Sequence, residues 1–152
     1  MNQIFKKKIE IVFRNINLLN PHEYEGLTMI RGGKIAVDLE GDLLIFINER
    51  IFFNEECILL VELAKHLHRW MQKIERNLIT DFYYESMDYE DKPILHFVNK
   101  ETYWQIHSVW KQFFSEDKLS TEDILYSARQ YINDLKHELK KYFNLDIAAL
   151  FK

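Results

Sequence analysis

Cysteine, glycine and proline are scarce in this chain, and each scarcity excludes something. One cysteine, Cys57, in 152 residues rules out an internal disulfide and any multi-cysteine zinc site. Four glycines and two prolines argue against disorder and against a loop-rich fold. No run of about 18 apolar residues exists, so no membrane-spanning helix is expected. Met1 to Phe13 lacks the apolar stretch and small-residue cleavage site of a signal peptide. There is no basic excess either. The net charge is -4, whereas a duplex-binding protein carries a basic footprint. No nucleic-acid partner, no membrane contact and a cytoplasmic location in a reducing compartment are therefore expected.

What is present is apolar and aromatic. Hydrophobic residues make up 47% of the chain and aromatic ones 14%, so large rings should fill the core of one domain spanning 1–152.

The apolar periodicity predicts the elements. Lys8 to Ile16 reads as a strand. Arg31-Gly32-Gly33-Lys34 reads as a turn. Ile35, Val37 and Leu39 alternate with polar or small residues as a second strand, and Glu40-Gly41-Asp42 reads as a hairpin turn into Leu43 to Ile47. Asn54 is placed to cap a helix running to about Arg76, with Leu60, Leu63, Ala64, Leu67, Met71 and Ile74 on one side. Cys57 falls on that side too.

Phe82 to Met87, Ile94 to Val98 and Tyr103 to Val109 are rich in aromatic and branched residues and read as three more strands. Ser120 or Thr121 caps a long helix whose stripe is Ile124, Ala128, Tyr131, Ile132, Leu135, Leu139 and Tyr142. Leu145 to Phe151 can dock as a short helical turn. Short links between successive strands imply antiparallel pairing. The expected fold is α+β: a single antiparallel β-sheet with two long amphipathic α-helices packed on one face.

For function, the stretch from Phe82 to Asp91 stands out. It interleaves rings with carboxylates and holds no basic residue. Rings supply contact area and carboxylates attract cations, so Tyr84, Glu85, Asp88, Tyr89, Glu90 and Asp91 are candidate contacts for a basic protein partner. The competing reading is a solvated acidic hairpin tip. A second candidate face carries His96, Tyr103, Gln105 and His107. If Leu95, Phe97, Trp104 and Ile106 point inward, both histidines share the opposite side of a hairpin, directly or diagonally paired. Histidine titrates near neutrality, so this face could transfer protons or bind a ligand; two ordinary surface histidines are the alternative. Trp110, Phe113 and Phe114 could form an exposed aromatic edge.

The remaining candidates are weaker. On a helix, His66 and His68 project about 200° apart and cannot converge on a metal. Glu55 and Glu56 oppose a thiolate at Cys57. No phosphate-cradling loop, nucleophile elbow or dinucleotide fingerprint occurs. No catalytic residue, metal or cofactor is assigned.

Two blocks carry a family resemblance. Glu40-Gly41-Asp42 leads through Phe52-Phe53 into Leu59-Leu60-Val61-Glu62-Leu63, and Tyr84-Glu85-Ser86-Met87 is followed by Lys92-Pro93-Ile94-Leu95-His96-Phe97. Together these resemble a group of small uncharacterised bacterial proteins of the domain-of-unknown-function kind, over about the middle half of the chain. By analogy with small α+β proteins of this style, the resemblance implies an immunity or antitoxin protein. The expected function is thus non-enzymatic protein binding, with a small enzyme or ligand binder using His96 and His107, or a structural homodimer, as alternatives.

Overall fold

The computed structural model describes residues 7–86, 90 and 92–152. Its strands form two sheets rather than one. The first has the order β1 (Ile9–Leu18), β2 (Leu39–Ile47), β3 (Arg50–Leu59), and the second the order β4 (Phe82–Tyr84), β5 (Leu95–Asn99), β6 (Trp104–His107). All pairings are antiparallel. Among the described residues three α-helices accompany them: a single turn α1 (Ile35–Asp38) and the long α2 (Leu60–Glu75) and α3 (Thr121–Phe143). The expectation of a single sheet with two long helices packed on one face is thereby corrected: there are two sheets, and α2 also packs on the second through Trp70. Strand count and antiparallel links do not say which strands join, and the 16-residue α2 separates the two groups.

Three local expectations fail for identifiable reasons. Ile35 to Asp38 is helical, although Ile35, Val37 and Leu39 alternate in sequence. Asp38 is drawn inward because its carboxylate accepts the Tyr24 hydroxyl proton at 2.6 Å. The hairpin turn sits at Asn48 and Glu49, not at Glu40-Gly41-Asp42. Both turn residues take positive φ (49° and 68°) between the paired Ile47 and Arg50, the geometry of a type I′ turn. Gly41 lies inside β2 with ordinary φ, where a Cβ would meet Leu60 Cδ1 at 2.7 Å. Its smallness serves close approach of the helix start, not a turn.

Residues 54–59 are strand, not helix. Pairing of β3 with β2 outweighs the capping signal at Asn54, and α2 starts directly after the strand with no side-chain cap. Cys57 is consequently exposed on β3 at φ 56°, beside a register shift, rather than on a buried helical stripe.

The helix stripes hold except at Tyr142, which is exposed near the end of α3. Leu60, Ala64, Leu67, Ala128, Leu135 and Leu139 are fully buried and Met71 nearly so. Ser120 caps α3 by accepting the Asp123 amide at 3.0 Å, and Asn144 closes it in the left-handed region. Phe13 of β1 meets Tyr131 of α3 edge-on, and the Tyr131 hydroxyl donates to the Leu60 carbonyl at 2.7 Å, tying both helices to the first sheet. The tail forms a 3-10 turn at Ala148–Phe151.

Trp70 of α2 joins the second sheet to the rest. Its ring makes edge contacts with Phe82, Phe97 and Trp104, one from each strand, and its Nε1 donates to the Thr80 carbonyl at 2.8 Å. The inner face of that sheet is therefore committed to the core. Its outer face is the one available for chemistry.

Candidate functional site

On the outer face of the second sheet, strand register lines up three side chains. Tyr83 pairs with His96, and His96 pairs with His107. Leu95, Phe97, Trp104 and Ile106 are buried, so the residues out of phase with them face outward. The ring centroids of Tyr83 and His96 lie 5.1 Å apart, those of His96 and His107 6.4 Å, and those of His107 and Phe114 5.8 Å. Four rings thus cross the sheet in one row. Its ends are the most exposed, Tyr83 at 47% and Phe114 at 59%.

Asp81, just before β4, fixes the row's orientation. One carboxylate oxygen accepts the Asn99 amide at 2.9 Å, and the other lies 3.1 Å from His96 Nε2. A carboxylate held by a backbone amide and touching an imidazole sets the tilt of that ring. His107 is held neutral to lower pH than usual, first by partial burial and then by His96, Lys100 and Lys111. Neighbouring imidazoles, one carboxylate-oriented and one reluctant to charge, can exchange protons with a ligand. Successive rings are tilted by 75°, 58° and 43°, so the row can equally serve as a ridged contact surface.

The sequence-predicted face is therefore assembled: His96 and His107 are directly paired. Gln105 lies on the same face opposite Val98. Tyr103 sits just before β6 with Lys118 Nζ 5.0 Å from its ring centroid. Asp81, Tyr83 and Phe114 were missed as members of the row. The phase of Phe82 and Tyr84 could have marked Tyr83 as outward; no local pattern marks Asp81.

The acidic-aromatic candidates divide. Tyr84 is fully buried, its hydroxyl donating to Glu62 at 2.7 Å and its ring against His66. Burial, and then the Glu62 carboxylate, push its proton affinity well above that of an ordinary tyrosine. It is a core residue, and the outward tyrosine of β4 is Tyr83. Glu85 pairs with Lys92 at 3.2 Å, and Glu90 is exposed. Asp88, Tyr89 and Asp91 lie outside the described residues.

His66 and His68 diverge, the first toward Tyr84 and the second toward Phe151. Among the described residues no group of three histidine, cysteine or carboxylate side chains has the geometry to hold a metal. No helix among them is long and apolar enough to cross a membrane.

The model of a family described as "Domain of unknown function (DUF7878)" matches residues 18–141. The chain belongs to that family. The match takes in the whole second sheet and both long helices of this DUF7878 protein except the last residues of α3. No curated protein and no solved structure matches the chain.

Proposed function

We propose that this DUF7878 protein is a non-enzymatic protein-binding protein. In this reading, the outer face of its second sheet, with the acidic segment beside it, contacts a basic partner. The observation that carries it is the exposed cross-strand row of Tyr83, His96, His107 and Phe114 on a face with no covering element among the described residues. A patch of partly exposed rings marks interaction surfaces. The sequence from Asp81 to Asp91 adds five carboxylates and no base at the β4 side, which favours cationic partners. Masking of a basic effector by an immunity or antitoxin protein would use such a face.

A photo-crosslinking amino acid in place of Tyr83 should capture a basic protein in the source cells; the same group in place of His22, exposed between β1 and β2, should not. With the captured partner purified, replacing Glu85, Asp88, Glu90 and Asp91 by amides should slow association about tenfold at low salt and flatten its salt dependence. Phe114→Ala should act on dissociation. Unchanged association rate and salt dependence in the amide variant would sink the charge argument. A crosslink only to a second copy would replace the partner by a homodimer.

The Asp81–His96 contact favours one second reading, proton transfer at the His96–His107 pair. It requires a ligand that touches both imidazoles. Substitution of either histidine by asparagine would then abolish turnover while leaving partner binding within a few-fold.

A further inference from the structure

We propose that the free edge of β1 and the α3 face beside it form a second docking site. Its occupant is an extended segment of another protein that adds to the first sheet as a fourth strand and turns basic side chains toward α3. The site is remote from the histidine row and independent of that reading.

The backbone supplies the first argument. Among the described residues β1 has β2 as its only neighbour. The Asn48 amide donates to the Lys8 carbonyl, which sets the phase of the ladder. Glu10, Val12 and Arg14 then turn their backbone groups to β2, while Ile9, Ile11 and Phe13 turn theirs outward. Sheet edges are usually blunted by lysines, prolines or bulges. Here Lys7 and Lys8 stand at one end, and a register shift between Arg14 and Asn17, with Asn15 at φ 56°, stands at the other. The stretch between them carries no such device.

The second argument is space. Three hollows follow this edge. The one at Lys8 and Glu122 shares Lys7 and Tyr126 with the next, which shares Val12 and Asp134 with the last. They form a row of adjacent hollows, a trough between β1 and α3, the largest of the three being about 550 Å³ beside Phe13, Glu138 and Tyr142. A helix that covered the edge would leave no trough. Tyr126 and Tyr142 are 50% and 63% exposed on its wall, flat surfaces for aliphatic stems.

The third argument chooses the occupant. Asp134 and Glu138 lie one turn apart on α3 and both line the largest hollow. Like charges at this spacing destabilise a helix. Asp134 accepts the Gln130 amide at 3.1 Å, and among the described residues no lysine or arginine forms an ion pair with either carboxylate. Arg14, the nearest cation of β1, is already engaged by Asp42 at 3.7 Å. An added strand places alternate side chains toward the helix, so lysine or arginine at every second position meets this pair.

The probe is an end-blocked peptide of alternating lysine and valine, seven residues long, titrated into the full chain by NMR. Saturable binding should slow exchange of the Ile9, Ile11 and Phe13 amides. The same peptide N-methylated at alternate residues cannot pair with a strand, and it should bind at least about tenfold more weakly. Replacing Asp134→Asn and Glu138→Gln together should weaken the unmodified peptide by a similar factor with the circular dichroism spectrum unchanged. Four results would overturn the proposal: no saturable binding, equal binding of the N-methylated peptide, indifference to the double substitution, or slow exchange of the three amides already in the free chain. The last would mean that the chain itself or a second copy occupies the edge; sedimentation would tell these apart.

Discussion

The two sheets share a pairing scheme and differ in what supports them. The first has strands of ten, nine and ten residues, irregular in both pairings. The second has strands of three, five and four residues in unbroken register. Short three-stranded sheets need a partner surface to be stable, and for the second sheet that surface centres on Trp70. The first sheet bends at its bulges to receive two helices. The small sheet stays regular, and regularity is what aligns Tyr83, His96 and His107 into one row.

The sharpest way to break that comparison is Trp70→Ala. It removes the ring shared by all three strands of the second sheet and leaves the Thr80 carbonyl without its donor. A loss of about 3–5 kcal/mol in urea unfolding is expected. Amides of Phe97 and Gln105 should lose more protection than that of Ile45. Equal loss throughout would mean that the sheets unfold as one unit and that the small one does not depend specially on this contact.

The same contrast decides what the sequence disclosed. The α3 stripe and its Ser120 cap were legible because period, cap and burial agree over 23 residues. In the second sheet, the inward phase of Leu95, Phe97, Trp104 and Ile106 disclosed that His96 and His107 share a face. The row's other members were hidden because they come from separate segments: Asp81 precedes β4, and Phe114 follows β6 by seven residues. The first sheet misled. Glu40-Gly41-Asp42 has turn composition, but the turn was made by Asn48 and Glu49, which lack a glycine. The helix start at Asn54 had a capping signal and acidic first turn, yet six further residues stayed in strand through pairing with β2. Local propensity is a weak prior against a sheet partner distant in sequence.

Gly41→Ala tests the other side of the comparison, the irregular first sheet. The added Cβ would lie 2.7 Å from Leu60 Cδ1 and 3.1 Å from the Arg14 carbonyl oxygen. Leu60 is fully buried and has little room to move. A cost of about 1–3 kcal/mol is expected from this overpacking. Gly33→Ala serves as the control: its Cβ would meet only Lys65 Nζ, at 3.7 Å, and stability should change by less than about 0.5 kcal/mol. If the two variants unfold at the same denaturant concentration, the close approach of α2 to β2 does not constrain position 41.

The smallest expected effect is a dependence on pH confined to the second sheet. No strand of the first sheet contains a histidine, whereas His96 and His107 lie in β5 and β6. Burial, and then His96, Lys100 and Lys111, lower the proton affinity of His107 in the folded chain. An unfolded histidine protonates near pH 6.5. Below that value the unfolded state takes up the proton first, so the folded state loses relative stability as pH falls and stops losing once His107 itself charges. His66 and His68, also lowered chiefly by burial, act in the same direction on α2. Opening free energies from amide exchange, corrected for the intrinsic pH dependence, should therefore fall from about pH 7.5 to about pH 5.5. The fall should be larger at Phe97 and Gln105 than at Ile45. His107→Asn should reduce the excess at the second sheet and leave the remainder, since His66 and His68 are retained. If acidification loosens both sheets equally in wild type and variant alike, the row does not govern the local stability of its own sheet, and His107 is a bystander to it.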